Sequence, residues 1–301
     1  MLPPLRWPRL TPGVKRLVVL GVPGVLSGAS TQINIFVGTL IASFAPGAVT
    51  LLSLADRLYQ LPLGLIGIPI GVVLLPHLTR QLAAKDEVGG MASQNRAVEY
   101  SMLLTLPATA ALMAIPLFLM RVIYERGLFT EADSQAAAIA LTAFAAGLPS
   151  FVLNKAFSPG FFAREDTKTP MIFTAISVVI NIVVSIVLFQ VIGFWAVAVG
   201  TSVAGWVGAI LLGWTLWRRG HFVPDGRLKS RLPRILLASI LMGVLVYLLG
   251  VVLDPVLDQG IWSKLGGLGL LVGAGMASFA LLAVLFGAIR FSDMRELRSR
   301  A

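Results

Sequence analysis

The stretch ADRLYQLPLGLIGIPIGVVLLPHLTRQLA, residues 55–83, decides the class of fold. With the residues just before it, it makes an apolar run over about 47–78. That is longer than the roughly 20 residues a helix needs to cross the hydrocarbon core of a bilayer. Pro62 and Pro69 interrupt the run. Each removes a backbone donor and bends the helix that contains it.

Working outward, seven more segments meet the same standard of length and apolarity: 14–44, 97–123, 134–163, 170–191, 194–217, 232–253 and 265–289. The early ones are long and broken by Pro23, Pro107, Pro116, Pro149 and Pro159, while the last four are cleaner. Hydrophobic residues make up 57% of the 301 and charged residues only 13%, with a mean hydropathy of +0.87. One water-soluble core cannot hide that much apolar surface, so lipid must be the solvent. The expected fold class is an all-α integral membrane protein of about eight transmembrane helices. With no cysteine and two separated histidines, His77 and His221, neither a disulfide framework nor a metal centre is expected. No cofactor is expected either.

The net charge of +10 does not point to nucleic acid. A nucleic-acid binder gathers its cations into a patch on a soluble fold, whereas these punctuate hydrophobic runs. Lys and Arg are retained on the cytoplasmic side of a membrane. Nineteen of the 24 lie before the first span, after the even-numbered spans, or at the C-terminus. The opposite loops hold Arg121, Arg126 and Lys264 among the acids Glu125, Glu131, Asp133, Asp254 and Asp258. Both termini are therefore expected in the cytoplasm. The N-terminal MLPPLRWPRLTPGVKR is basic, broken by prolines and without a small-residue cleavage site. The expected organisation is an approach segment 1–13, a six-helix bundle 14–217, a basic cytoplasmic loop 218–234, two additional helices over 235–289 and a tail 290–301.

Two cations fall inside spans, Arg57 and Lys155. Arg57 lies about ten residues into its span, roughly 15 Å below the outer surface. A central arginine costs about 2.5–3.5 kcal/mol on insertion scales, so it needs a polar cavity or a carboxylate partner. Adjacent Asp56 is a poor partner because neighbours on a helix point about 100° apart. Lys155 lies near the inner end of its span, where a long stem lets an ammonium reach the interface. Gln32 and Asn34, with Ser27, Ser30 and Thr31, form a polar stretch in an apolar helix, which interhelical hydrogen bonding explains as well as substrate contact does. His77 and His221 read as interfacial. Trp195, Trp206, Trp217 and Trp262 are expected in the aromatic belts near span ends. Glycines such as Gly64, Gly67 and Gly71 permit close helix contacts. No nucleophile–base arrangement, carboxylate pair or phosphate loop stands out, so catalysis is not indicated.

The segment 55–83 resembles the strongest signature of the MurJ/MviN family, a branch of the MOP flippase superfamily. QINIFVGTLIASF (32–44), YERGLFTEAD (124–133) and KAFSPGFFAREDTKTP (155–170) agree with it in order and spacing. The resemblance covers nearly the whole chain. It implies that the eight spans correspond to the C-terminal lobe of a two-lobed transporter plus two extra helices, with the N-terminal lobe not represented. It implies a bacterial inner-membrane location and a substrate, lipid II, moved to the outer leaflet by alternating access, with membrane lipids as partners, and it leaves a separately encoded N-terminal lobe open as a further partner. Arg57 is the position that carries over as a cavity arginine, then Lys155, with Gln32 and Asn34 as further substrate-binding candidates. The last two helices would form a groove for a polyprenyl tail, although lipid-facing helices would have the same composition. Relatives that hold a cation do so with two acids, an Asn and Thr. Here Asn181 and Thr201 remain, but Gly38 and Ser185 stand where the acids would be. Three other readings stay open: a flippase for another polyprenyl-linked saccharide, a non-transporting product or partner subunit of a split flippase, and a membrane enzyme acting on lipid intermediates.

Overall fold

The computed structural model describes residues 32–253 and 260–288, with Gly21 and Ala29. Among these residues every regular element is a helix. A short apolar helix, α1 (Gln32–Ala42), precedes α2 (Ala48–Pro62), which runs through a π-helical turn (Leu63–Gly67) into α3 (Ile68–Ala83). Then follow α4 (Glu87–Ala114), α5 (Pro116–Tyr124), α6 (Glu131–Phe162), α7 (Lys168–Ile192), α8 (Trp195–Arg218), α9 (Gly226–Leu253) and α10 (Ile261–Leu285). Counting α2–α3 as one, seven helices among the described residues are long and apolar enough to cross a membrane. Most of the expected first span, the approach segment 1–13, Ser27, Ser30 and Thr31, Asp254 and Asp258, and the tail 290–301 lie outside the described residues.

Proline explains two departures from the expected boundaries. Pro62 and Pro69 each lack an amide donor, and between them the chain widens into the π turn instead of ending the helix. The span expected at 97–123 is divided, because a proline disfavours helical geometry in the residue before it. Ile115 accordingly sits at φ −129°, ψ 44°, and Pro116 opens α5. Side-chain caps set other starts: Asp86 accepts from the Gly89 amide to begin α4, and Thr130 and Asp133 form a capping box on α6. α4 begins ten residues earlier than expected and α9 six earlier, so Arg96 and the cations 227–234 stand on helices rather than in loops.

The core is built round α6, whose Ala137, Ala140, Leu141, Leu148, Val152 and Ala156 are wholly buried. α8 lies against it so closely that three glycines are required at the seam. A Cβ on Gly147 would stand 2.9 Å from Ser202 Cα, one on Gly205 3.0 Å from Phe151 Cζ, and one on Gly160 3.2 Å from Leu216 Cδ2. α7, on the outside, is patterned for lipid: its buried residues are Pro170, Asn181 and Ser185, and its exposed ones include Ile176, Val179, Val183 and Val187. α9 packs on α4, and α10 packs mainly on α9. Ile115, Phe118, Val122, Met242, Val246 and Leu271 form a second small core there.

Because the obstacle at Gly147 is partly backbone, overpacking should cost about 1–3 kcal/mol. Gly147→Ala is expected to lower the thermal unfolding temperature of the detergent-solubilised protein, and Gly64→Ala, where a Cβ meets nothing within 4 Å, to leave it within error.

Candidate functional site

Arg57 is exposed on α2, five residues before the Pro62 break. Among the described residues its guanidinium makes no hydrogen bond or ion pair, and Asp56 instead accepts from Gln60, one helical turn further on. The geometric reason for rejecting Asp56 as its partner is thus met in the structure. Lys155, on α6, is also exposed and without a hydrogen bond or ion pair among the described residues. Its stem lies on the broken span: a Cβ on Gly67 would be 3.6 Å from Lys155 Cγ, and one on Gly71 3.6 Å from the Lys155 carbonyl oxygen. Gly67 is ten residues beyond Arg57, about 15 Å along the helix. The two cations therefore occupy different depths of one face-accessible span, and each would have to lean fully toward the other to share a single phosphate.

Gln32 is exposed on α1 and Asn34 half-buried. Asn34 does not join the cations. Asn181 Nδ2 donates to Asn34 Oδ1 at 2.8 Å and to Thr201 Oγ1 at 3.3 Å, and Ser185 Oγ donates to Asn181 Oδ1 at 3.0 Å. Thr201 Oγ1 donates in turn to the Val197 carbonyl at 2.7 Å. The cluster ties α1, α7 and α8 together through neutral groups only. A cation placed among them would have no carboxylate to offset its charge in a medium of low dielectric, so the residues present do not fit the cation site that the resemblance raised. Among the described residues no group of three or more His, Asp or Glu is placed to hold a metal.

The ends of the bundle sort by charge. At the end holding the α5–α6 turn, Arg121 pairs with Glu125 at 3.8 Å and with Glu131, and Lys264 of α10 reaches Glu125 at 4.0 Å. At the other, basic end, the carboxylate of Glu99 is 3% exposed and receives Arg96 at 3.0 Å, Arg227 at 3.0 Å and Arg231 at 2.6 Å. Asn95 completes the join of α4 to the α8–α9 connection, donating to the Val223 carbonyl at 2.9 Å and accepting from the Asp225 amide at 3.3 Å. Sequence reading placed these arginines as loop cations and passed over Glu99. The only available signal was a lone acid within a predominantly apolar helix.

Nearby, Arg219 pairs with Asp166 at 2.6 Å and lies 5.6 Å over the Phe161 ring, and Arg164 pairs with Glu87 at 3.0 Å. Burial works to raise the Asp166 pKa, yet hydrogen bonds from Arg219 and Thr169 outweigh it and hold the carboxyl below its usual range. His221, expected at the interface, is half-buried in this group. Burial lowers its pKa, the Arg164 charge lowers it further, Glu87 opposes and Arg219 adds to the lowering. His77 is exposed on α3. Trp206 departs from expectation: it lies mid-way along α8, not near an end. Its indole donates to the Ala146 carbonyl at 2.9 Å, so its one polar atom needs no interfacial water.

A bundle of crossing helices with a proline-broken, arginine-bearing span defines a multi-pass membrane protein with the fold of the MOP transporters. A MOP superfamily transporter from Pyrococcus furiosus superposes with a TM-score of 0.61 at 16% identity, over 89% of this chain and 63% of that one. At that identity the likeness concerns the fold alone. The solved structure of a lipid II flippase MurJ in an inward closed conformation gives a TM-score of 0.73 at 25% identity, over 92% of this chain and 56% of that one.

Residues 1–258 match the family model described as Lipid II flippase MurJ, and the chain belongs to that family. Two relatives named probable lipid II flippase MurJ are similar over long stretches. That of Rhizobium tropici is 44% identical over 294 residues, 97% of this chain and 55% of the relative. That of Rhizobium meliloti strain 1021 is 47% identical over 242 residues, 80% and 45% respectively. The chain spans about half the length of the curated relatives it matches.

Two measurements check the basic end. Removing the charge of Glu99 leaves arginines without their shared counter-ion. Glu99→Gln should therefore cost about 3–5 kcal/mol of stability, while Arg96→Gln, at a side chain a third exposed, should cost about 1 kcal/mol or less. Because folding lowers the His221 pKa from its ordinary value of 6.5, the unfolded chain takes up the proton first. Thermal stability should fall as pH drops through that value, and His221→Gln should flatten the dependence.

Proposed function

We propose that this chain contributes one lobe and two additional helices to a lipid II flippase of the bacterial inner membrane, with both termini cytoplasmic. The carrying observation is the exposed Arg57 guanidinium, without an ion pair among the described residues and set in an apolar span just before its break. A charge there is costly against acyl chains. Its position makes sense if it faces a polar cavity walled on the other side by a second lobe. A diphosphate entering such a cavity needs cationic partners, and a guanidinium can meet it with two parallel charge-assisted bonds. The names of the relatives supply the substrate: an undecaprenyl diphosphate carrying the peptidoglycan building block.

The depth difference between Arg57 and Lys155 gives them successive roles. Arg57 holds the diphosphate at mid-depth, and Lys155, near the basic end, meets it on entry. Alternating access then moves the head group while the prenyl tail stays in lipid. The π turn beside Gly67 is the joint in this scheme, since backbone already widened by two missing donors bends at low cost. Gln32 serves at the cavity rim, whereas Asn34 is engaged with Asn181 and acts in packing.

A second reading follows from the share of the relatives that the chain spans: a partner subunit acting with a separately supplied N-terminal lobe. The rest of the machinery is the same in that case. The experiment is rescue of a strain depleted of its own flippase, using the chain together with the N-terminal lobe of a close relative. Arg57→Ala is expected to abolish rescue at equal expression, and Arg57→Lys to retain part of it, because an ammonium keeps the charge but not the paired bonds. Growth of the Ala variant at the parental rate, with lipid II reaching the outer leaflet normally, would remove Arg57 from the site.

A further inference from the structure

An open groove of about 550 Å³ runs along the seam of α6 and α8 to the α8–α9 connection. Its walls are Trp206, Ile210, Trp214 and Trp217 of α8, and its floor is Phe157 of α6. The floor is reached because position 213 is glycine: a Cβ there would come within 3.1 Å of the Phe157 ring. Trp214 and Trp217 pack with ring centroids 5.1 Å apart and planes tilted by 51°. All four wall residues remain exposed, Ile210 at 61%. The groove closes at the basic end on Val223, Pro224 and the exposed Lys229, whose ammonium has no ion pair among the described residues.

We propose that this groove holds an anionic phospholipid of the leaflet at the basic end, one acyl chain lying along α8 and the phosphate meeting Lys229. Three observations select this occupant. The first is length: Trp206 and Trp217 are eleven residues apart, about 16 Å, which is close to half of a hydrocarbon core of about 30 Å. A single leaflet's acyl chain fits, and a chain crossing the midplane is not needed. The second is polarity, which is graded in the lipid's own order: the lining side chains are apolar from Trp206 through Trp217 to Phe222, and the one cation among them, Lys229, stands at the head-group level. The third is Trp206, which lies mid-span with its indole N–H already satisfied by Ala146 and so offers its ring face to an apolar ligand rather than to water. The groove lies away from Arg57, and the inference does not depend on the flipping reading.

The test is tryptophan quenching in the complete chain, reconstituted into vesicles of equal phosphatidylglycerol and phosphatidylcholine. In one set the phosphatidylglycerol carries brominated acyl chains, and in the other the phosphatidylcholine does. Tryptophans outside the groove meet the same bulk mixture in both sets, so a difference reports head-group selection. One surface lysine favours an anionic lipid by about fivefold in local occupancy. Stronger quenching by brominated phosphatidylglycerol is expected, retained in Lys229→Arg and lost in Lys229→Glu. Equal quenching by the two brominated lipids, or an excess that survives in Lys229→Glu, would overturn the proposal.

Discussion

Lipid offers no hydrogen bonds, and from that one fact most of this structure follows. Every peptide group in the membrane must be satisfied within the chain, which accounts for the helices and also for what happens where proline intervenes. At Pro62 and Pro69 the missing donors widen the backbone locally, because uncoiling it in hydrocarbon would cost more. The same rule governs side chains. Asn181 and Ser185 face inward on α7 and satisfy one another with Asn34 and Thr201, while the isoleucines and valines face out. The buried acid Glu99 receives three arginines.

Against that background Arg57 and Lys155 are the exceptions on which the proposed function rests. Asn34, Asn181, Ser185 and Thr201 bond one another and Glu99 is paired with arginines, whereas Arg57 and Lys155 have no hydrogen bond or ion pair among the described residues. In the proposed scheme their separation along the broken span makes them two stations on a path rather than one chelating pocket. The neutral Asn–Asn–Ser–Thr cluster, in contrast, has its polar capacity largely used internally, which fits a role in joining α1 to α7 and α8. The two features lie on different helices of the bundle and need separate physical accounts.

The basic end combines two kinds of cation. Arg96, Arg219, Arg227 and Arg231 are held by acids and weld α4, α7 and α9 to the helical connections. Lys229 stands outside this network beside an aromatic groove. A count of basic residues treats them alike and does not tell which charges are structural.

The sequence by itself determined the class of fold, the approximate spans, the family and the two intramembrane cations, because hydropathy over about 20 residues and a charge within it are local properties. It also located the prolines that break the spans. Tertiary structure alone decided where those breaks fall open into a π turn or divide a helix at Ile115, since that depends on which neighbours can take up the freed backbone groups. It alone paired Asn34 with Asn181 across 147 positions, gathered Arg227 and Arg231 on Glu99 across about 130, and set Trp206 in mid-span against Ala146. Such contacts are made by helices packing side by side, and no periodicity along one helix carries the identity of its neighbour.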